Sequence, residues 1–126
     1  MFEHIDPRSS TPLYAQIAAR FRVAIAAGEL RTAALLPSVR DLAARLRVNP
    51  ATIAQAYREL EGEGFVEIRH GAGTYVRELA PGRRTRERAR QAKALAERVL
   101  ADARRMGVTL EELREAIDGV LGAKTT

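Results

Sequence analysis

Arg40, Asn49, Thr52, Gln55 and Arg58 are the side chains of this protein best suited to specific hydrogen bonding, and they fall within one short stretch. Arginine presents a rigid fork of donors, asparagine and glutamine carry a donor and an acceptor side by side, and threonine adds a small hydroxyl. Groups of this kind recognise carboxylates, phosphates or the polar edges of bases. Covalent chemistry has far less to work with. His4 and His70 are distant in sequence and there is no cysteine. No glycine-rich loop follows a strand, and no carboxylate pair has a recognisable catalytic setting. The chain therefore reads as a binding protein rather than an enzyme, with no metal site and no cofactor expected.

The stretch from Leu36 to Tyr57, LPSVRDLAARLRVNPATIAQAY, with Arg58 directly after it, must position these groups. Ser38 is a good N-cap, with Asp41 three residues on to favour the exposed amides of a first turn. Leu42, Ala43 and Leu46 then share one helical face. Arg47 and Val48 make a turn, and Asn49 followed by Pro50 starts a second helix as cap and first residue. Ile53, Ala56, Tyr57 and Leu60 form its buried stripe, while Asn49, Ala51, Thr52, Gln55 and Arg58 lie on the other side. An apolar back with short polar groups at an exposed N-terminus suits a helix that enters the major groove of DNA. The plain structural alternative is a helix pair in a small core with a solvated face.

Totals limit the choice. A chain of 126 residues holds one compact domain and an appendage, too little for a large ligand-binding domain as well. Aromatic residues make up 5% of it, so the core is aliphatic and small. A formal charge of +5, nearly all arginine, favours a polyanionic partner, although arginine and alanine also accumulate in GC-rich genomes. No signal peptide or membrane-spanning apolar run is visible, which predicts a cytoplasmic protein with no membrane partner.

Along the chain, Met1 to Ser10 reads as a polar lead-in with His4 solvated. Thr11-Pro12 opens a helix, with Thr11 as cap and Pro12 at the tolerated first position; it carries Leu13, Ile17, Phe21, Ala24 and Ile25 and stops at Gly28. Beyond Leu60, two β-rich runs flank His70-Gly71-Ala72-Gly73 and predict a hairpin over residues 65–77. A hairpin directly after two such helices is the wing of a winged helix. At its tip glycine lets backbone approach a phosphate or the minor groove, where Arg69 or His70 supplies a donor. Pro81-Gly82 breaks the pattern, and a basic run from Arg83 follows.

Two amphipathic helices complete the chain. The first carries Leu95, Val99, Leu100 and Met106; the second begins with a capping box, Thr109 with Glu112, and carries Leu110, Leu113, Ile117 and Leu121. Two such stripes cannot bury each other fully, so a two-fold partner is expected to close them in a homodimer. The alternative is that both helices fold back on the first domain. The fold class is thus mainly α with a small β-hairpin: a winged helix-turn-helix over residues 1–78, then two dimerisation helices over residues 79–126.

With these residues assembled, the chain resembles the GntR family of bacterial transcription regulators. The likeness runs from Pro12 to Val76 and rests on the opening helix, Pro37-Ser38-x-Arg40, Asn49-Pro50-x-Thr52, Ala56-Tyr57 with Leu60-Glu61, Gly64, and Gly71-x-Gly73-Thr74. The two-helix end is similar to the short YtrA-like branch. The resemblance implies a homodimer that binds a palindromic double-stranded operator through recognition helix 49–61 and wing 65–77 and usually represses nearby genes, often those for transporters. It implies DNA contacts for Arg40, Asn49, Thr52, His70 and Gly71; Ser38, Gln55, Arg58 and Arg69 are added from the helix cap, the helical face and the wing.

Several positions depart from the pattern. Thr32-Ala33 stands where proline-glycine is usual, Ala34-Leu35 replaces a commonly polar pair, Arg47 replaces a glycine, and Ala51 and Ala54 remove base-reading groups. Positive φ at Ala33 or Arg47 would be strained, and Leu35 and Leu36 are expected to pack more deeply. A protein-interaction winged helix and a nonspecific DNA-binding protein remain the alternatives. The first would want exposed aromatic anchors on the face of residues 49–58, and none is there. A small-molecule effector stays open, with no identity legible.

Overall fold

A computed structural model describes Met1–Thr125, with side chains through Ala123. The elements are α1 (Leu13–Ala27), α2 (Val39–Leu46), α3 (Pro50–Gly62), β1 (Val66–Arg69), β2 (Gly73–Val76), α4 (Arg83–Met106) and α5 (Leu110–Thr125). They form two compact units, the first running from Met1 to Arg88 and the second from Ala89 onward. The first unit therefore continues past residue 78 and takes in the start of α4.

In the first unit, α1, α2 and α3 close over Ile17, Phe21, Ile25, Leu42, Ile53, Tyr57 and Leu60, with Phe65, Val66 and Val76 of the hairpin sealing one side. Phe21 meets Tyr57 edge to face, with ring centres 5.6 Å apart. Arg22 of α1 donates to Glu63 at 2.9 Å and to Glu59 at 3.4 Å, tying α1 to the end of α3. The lead-in is less polar in its packing than its sequence suggests. Phe2 and Ile5 rest partly buried on the core, and the Gln16 side chain holds the segment by donating to the Asp6 and Thr11 carbonyls. Thr11 does not cap α1. The cap position is Pro12, without a side-chain hydrogen bond, and the Thr11 N–H instead donates to Ser9 Oγ at 3.1 Å.

Strained backbone occurs where glycine was missing. Arg47 takes the left-handed conformation at φ 57°, and Ala33 does so at φ 72°. At Arg47 the geometry closes α2: its N–H reaches the Ala44 carbonyl and that of Val48 the Ala43 carbonyl. The helix ending outweighs a side-chain penalty of about 1 kcal/mol. Ala33 lets the next residues run along β2. Its N–H donates to the Val76 carbonyl, Val76 donates back to Ala34, and Leu36 donates to Thr74. Leu35 thereby bridges Tyr75 and adds a third edge to the antiparallel pair β1-β2, whose register sets Arg69 opposite Gly73. Leu36 is buried as expected, but Leu35 is not: it is 60% exposed. Alternation along an extended segment sends neighbouring side chains to opposite faces.

The second unit is organised differently. The capping box at the head of α5 is formed, with the Thr109 N–H donating to Glu112 at 2.9 Å and the Glu112 N–H to Thr109 Oγ1 at 3.1 Å. These hydrogen bonds hold the Glu112 carboxyl below its ordinary pKa. Ala103 is buried and Val99 and Leu113 are half-buried, whereas Leu95, Leu100, Met106, Leu110, Ile117, Val120 and Leu121 are exposed. Among the described residues no helix is long and apolar enough to cross a membrane.

Candidate nucleic-acid interface

Both short helices present their capped ends outward in the same chemical sense. Ser38 Oγ accepts from the Asp41 N–H at 3.0 Å, and Asn49 Oδ1 accepts from the Ala51 N–H at 2.9 Å. Each cap spends an oxygen lone pair inward. The Ser38 hydroxyl hydrogen and the Asn49 amide NH₂ remain as outward donors. They sit at the positive ends of α2 and α3, which attract anions.

Around these caps the polar groups line up on solvent. Arg40 is exposed in the first turn of α2, Gln55 and Arg58 are exposed on α3, and Thr52 is half-buried beside them. Ala51 is exposed at the head of α3 and removes bulk there. Helical spacing of three and four residues places Ala51, Gln55 and Arg58 on one face. The α2–α3 pair is locked from behind by Tyr57, whose hydroxyl donates to the Pro37 carbonyl at 2.7 Å. Burial pushes that phenol far above its ordinary pKa, with Arg45 pulling weakly the other way.

The wing tip, His70-Gly71-Ala72, is exposed. Gly71 has φ 79° and nothing within 4 Å of the place a Cβ would occupy, so the backbone itself is the projecting surface. Arg69 is held rather than loose: its guanidinium lies 4.5 Å from the Tyr75 ring centre and 3.4 Å from Glu67. Tyr75 in turn donates to the Ala72 carbonyl at 3.0 Å, bracing the tip. Between the wing and the head of α2 lies an open cleft of about 460 Å³, lined by Leu35, Ser38, Val39, Ile68, Arg69, His70 and neighbouring backbone. Ser38, Arg69, His70 and Gly71 are thus brought together. Nothing in the composition of residues 33–36 signalled that this segment pairs with β2 and forms one wall.

The basic run at the start of α4 belongs elsewhere. Arg83 stacks over the Phe65 ring at 4.7 Å and meets the buried Glu87 carboxylate at 3.3 Å. A Cβ built on Gly28 would lie 3.5 Å from Arg84, and one on Gly64 would lie 4.0 Å from Arg83. Gly28 and Gly64 follow the C-terminal ends of α1 and α3, helices that carry no basic residue in their own last turns. The two arginines supply positive charge where the helix dipoles favour it. With α3 about 20 Å long, Arg83 stands at the end opposite Asn49 and the outward caps.

The helix-turn-helix with its hairpin is matched by the model for "Bacterial regulatory proteins, gntR family" over residues 13–76. The chain belongs to the GntR family. It is 41% identical over 113 residues to the HTH-type transcriptional repressor YtrA of Bacillus subtilis, covering 90% of this chain and 87% of that one. Among solved structures it is similar to a GntR family transcriptional regulator from Listeria monocytogenes, with a TM-score of 0.69 and 32% identity over 88% of this chain and 96% of that one. It is also similar to YtrA from Sulfolobus acidocaldarius, a GntR-family transcription factor, with a TM-score of 0.59 and 38% identity, covering 76% and 99% of the two chains. This GntR-family protein is accordingly a DNA-binding regulator of transcription with a winged helix-turn-helix.

Proposed function

We propose that this regulator is a cytoplasmic repressor that binds a palindromic duplex operator as a homodimer. The observation that carries the reading is the pair of helix caps whose oxygens are used inward and whose donors face out beside an exposed glycine wing tip. In this assignment Arg40 makes a two-bond contact to a guanine edge, and Gln55 pairs with adenine. Asn49 and Thr52 bind phosphate or base edges at the head of α3, and Ser38 and Arg58 bind phosphate. Arg69, His70 and Gly71 approach the minor groove. The exposed stripe of Leu95, Leu100, Met106, Leu110, Ile117 and Leu121, with half-buried Val99 and Leu113, is assigned to the two-fold contact. An apolar surface of that extent favours burial against a second copy.

Selection of random duplex DNA by the purified protein, with the mass of the bound complex measured in the same experiment, tests this reading. An inverted repeat held by two chains is the expected result. A single half-site bound by one chain, or no sequence preference, would overturn it. The recovered site then directs a search upstream of genes, transporter genes first, and repression is read from a reporter placed behind it.

A further inference from the structure

Leu35 is a large apolar side chain left exposed beside the donors of Ser38, Arg40 and Arg69. Its backbone is pinned on both sides, by Val76 donating to Ala34 at 2.9 Å and Leu36 donating to Thr74 at 2.8 Å. Its side chain lies over the wing: a Cβ added to Gly73 would stand 2.6 Å from Leu35 Cδ1. A single exposed leucine needs no explanation by itself. This one, however, lines the cleft between α2 and the wing, together with Val39 and Ile68, while Ser38, Arg69 and His70 supply polar and cationic groups to the same walls. Such a cleft is amphipathic, apolar along one part and donor-rich along another.

The occupant follows from the geometry of DNA. If α3 reads a major groove and the wing approaches the adjacent minor groove, one sugar–phosphate strand separates the two grooves. That strand must pass between the heads of the helices and the wing. A deoxyribose offers an apolar face flanked by phosphates, matching leucine, valine and isoleucine beside donors and the positive end of α2.

We propose that the cleft seats one deoxyribose-phosphate strand, with Leu35 packed against a sugar and Ser38, Arg69 and His70 on its phosphates. The proposal rests on the operator-binding reading above. It adds a preference for DNA sugar at one strand position per half-site, because a ribose 2′-hydroxyl against Leu35, Val39 and Ile68 loses water without gaining a partner.

The test uses the full chain and the selected operator, with dissociation constants measured across a range of salt. Leu35→Ala is expected to weaken binding to operator and unrelated duplex alike, by about three- to tenfold, with an unchanged salt slope, since an apolar contact releases no counterions. Leu35→Lys is expected to steepen the slope by about one unit by adding a phosphate contact, whereas Arg69→Gln makes it shallower by about the same amount. In the wild-type protein, scanning single ribose substitutions through the operator is expected to locate one sensitive sugar on one strand of each half-site, a sensitivity that Leu35→Ala abolishes. A flat ribose scan, or a salt slope unmoved by Leu35→Lys, overturns the proposal. Arg40→Ala separates its failure from that of the reading beneath it. Loss of operator preference in Arg40→Ala with a flat ribose scan removes the sugar contact alone. Equal affinity of the wild-type protein for operator and unrelated duplex, with a flat scan, removes the docking assumed for both.

Discussion

The two compact units solve opposite problems with similar sequence material. Up to Arg88, most of the large apolar side chains are covered: Phe21, Tyr57, Phe65, Ile17, Ile25 and Leu36 are almost completely buried, with Leu35 an exception at 60% exposure. From Ala89 onward the amphipathic pattern is just as regular, yet Met106 is 76% exposed and Leu110 65%. The first unit has three helices and a hairpin to close around one centre, whereas a helix pair has two stripes and too few surfaces to cover them. Hydrophobic periodicity thus states which face seeks cover, and it does not state whether the cover comes from the same chain.

Deleting everything after Arg88 should break the comparison most visibly. The remaining winged helix is expected to melt cooperatively as a monomer and to lose operator affinity by about 10²- to 10⁴-fold, as two linked half-site contacts become independent. Sedimentation and a binding isotherm check both parts; a truncated protein that stays dimeric would remove the exposed stripe as the dimer contact. Phe65→Ala, at a site with no exposure, should cost the first unit about 3–5 kcal/mol in urea denaturation. Ile117→Asp, at 46% exposure, sharpens the contrast from the other side. It is expected to leave the winged-helix melt within about 0.5 kcal/mol of wild type while raising the dimer dissociation constant. Equal destabilisation of the winged helix by Ile117→Asp would show that the second unit is not waiting for a partner.

A smaller effect separates the units by pH. Tyr57 is 1% exposed, and burial raises its phenol pKa in the native state. The folded form therefore binds the phenolic proton more tightly than the unfolded chain does. The resulting stability is complete below the ordinary phenol value of about 10 and is lost as pH rises above it. Tyr57→Phe should flatten that alkaline decline and cost about 1 kcal/mol near neutrality, because the Pro37 carbonyl loses its donor. Urea midpoints at about pH 8 and about pH 11 compare the two proteins. An alkaline decline as steep in Tyr57→Phe as in wild type would assign it to another group.

Much of both units was legible because the signals are local. Ser38, Asn49-Pro50 and Thr109 with Glu112 form their caps where residue type and spacing put them. The hairpin follows from two β-rich runs around glycines. Thr11 failed as a cap because the approaching chain is held by Ser9 and Gln16 instead, a competition among neighbours that a cap rule does not weigh. Leu35 was expected inward with Leu36, but pairing with β2 gives the two residues opposite faces. Arg47 and Ala33 accept positive φ without glycine because the surrounding hydrogen bonds require it.

What the sequence determined by itself is the order and type of the elements, the caps, the apolar faces and the group of polar side chains presented on α2, α3 and the wing, since each depends on residues a few positions apart. Tertiary structure decided the third edge of the wing, the cleft it walls, and the docking of Arg83 and Arg84 beside the ends of α3 and α1. These join segments distant along the chain, and no local preference specifies which distant hydrogen-bond donor or helix end will lie within reach once the core has closed.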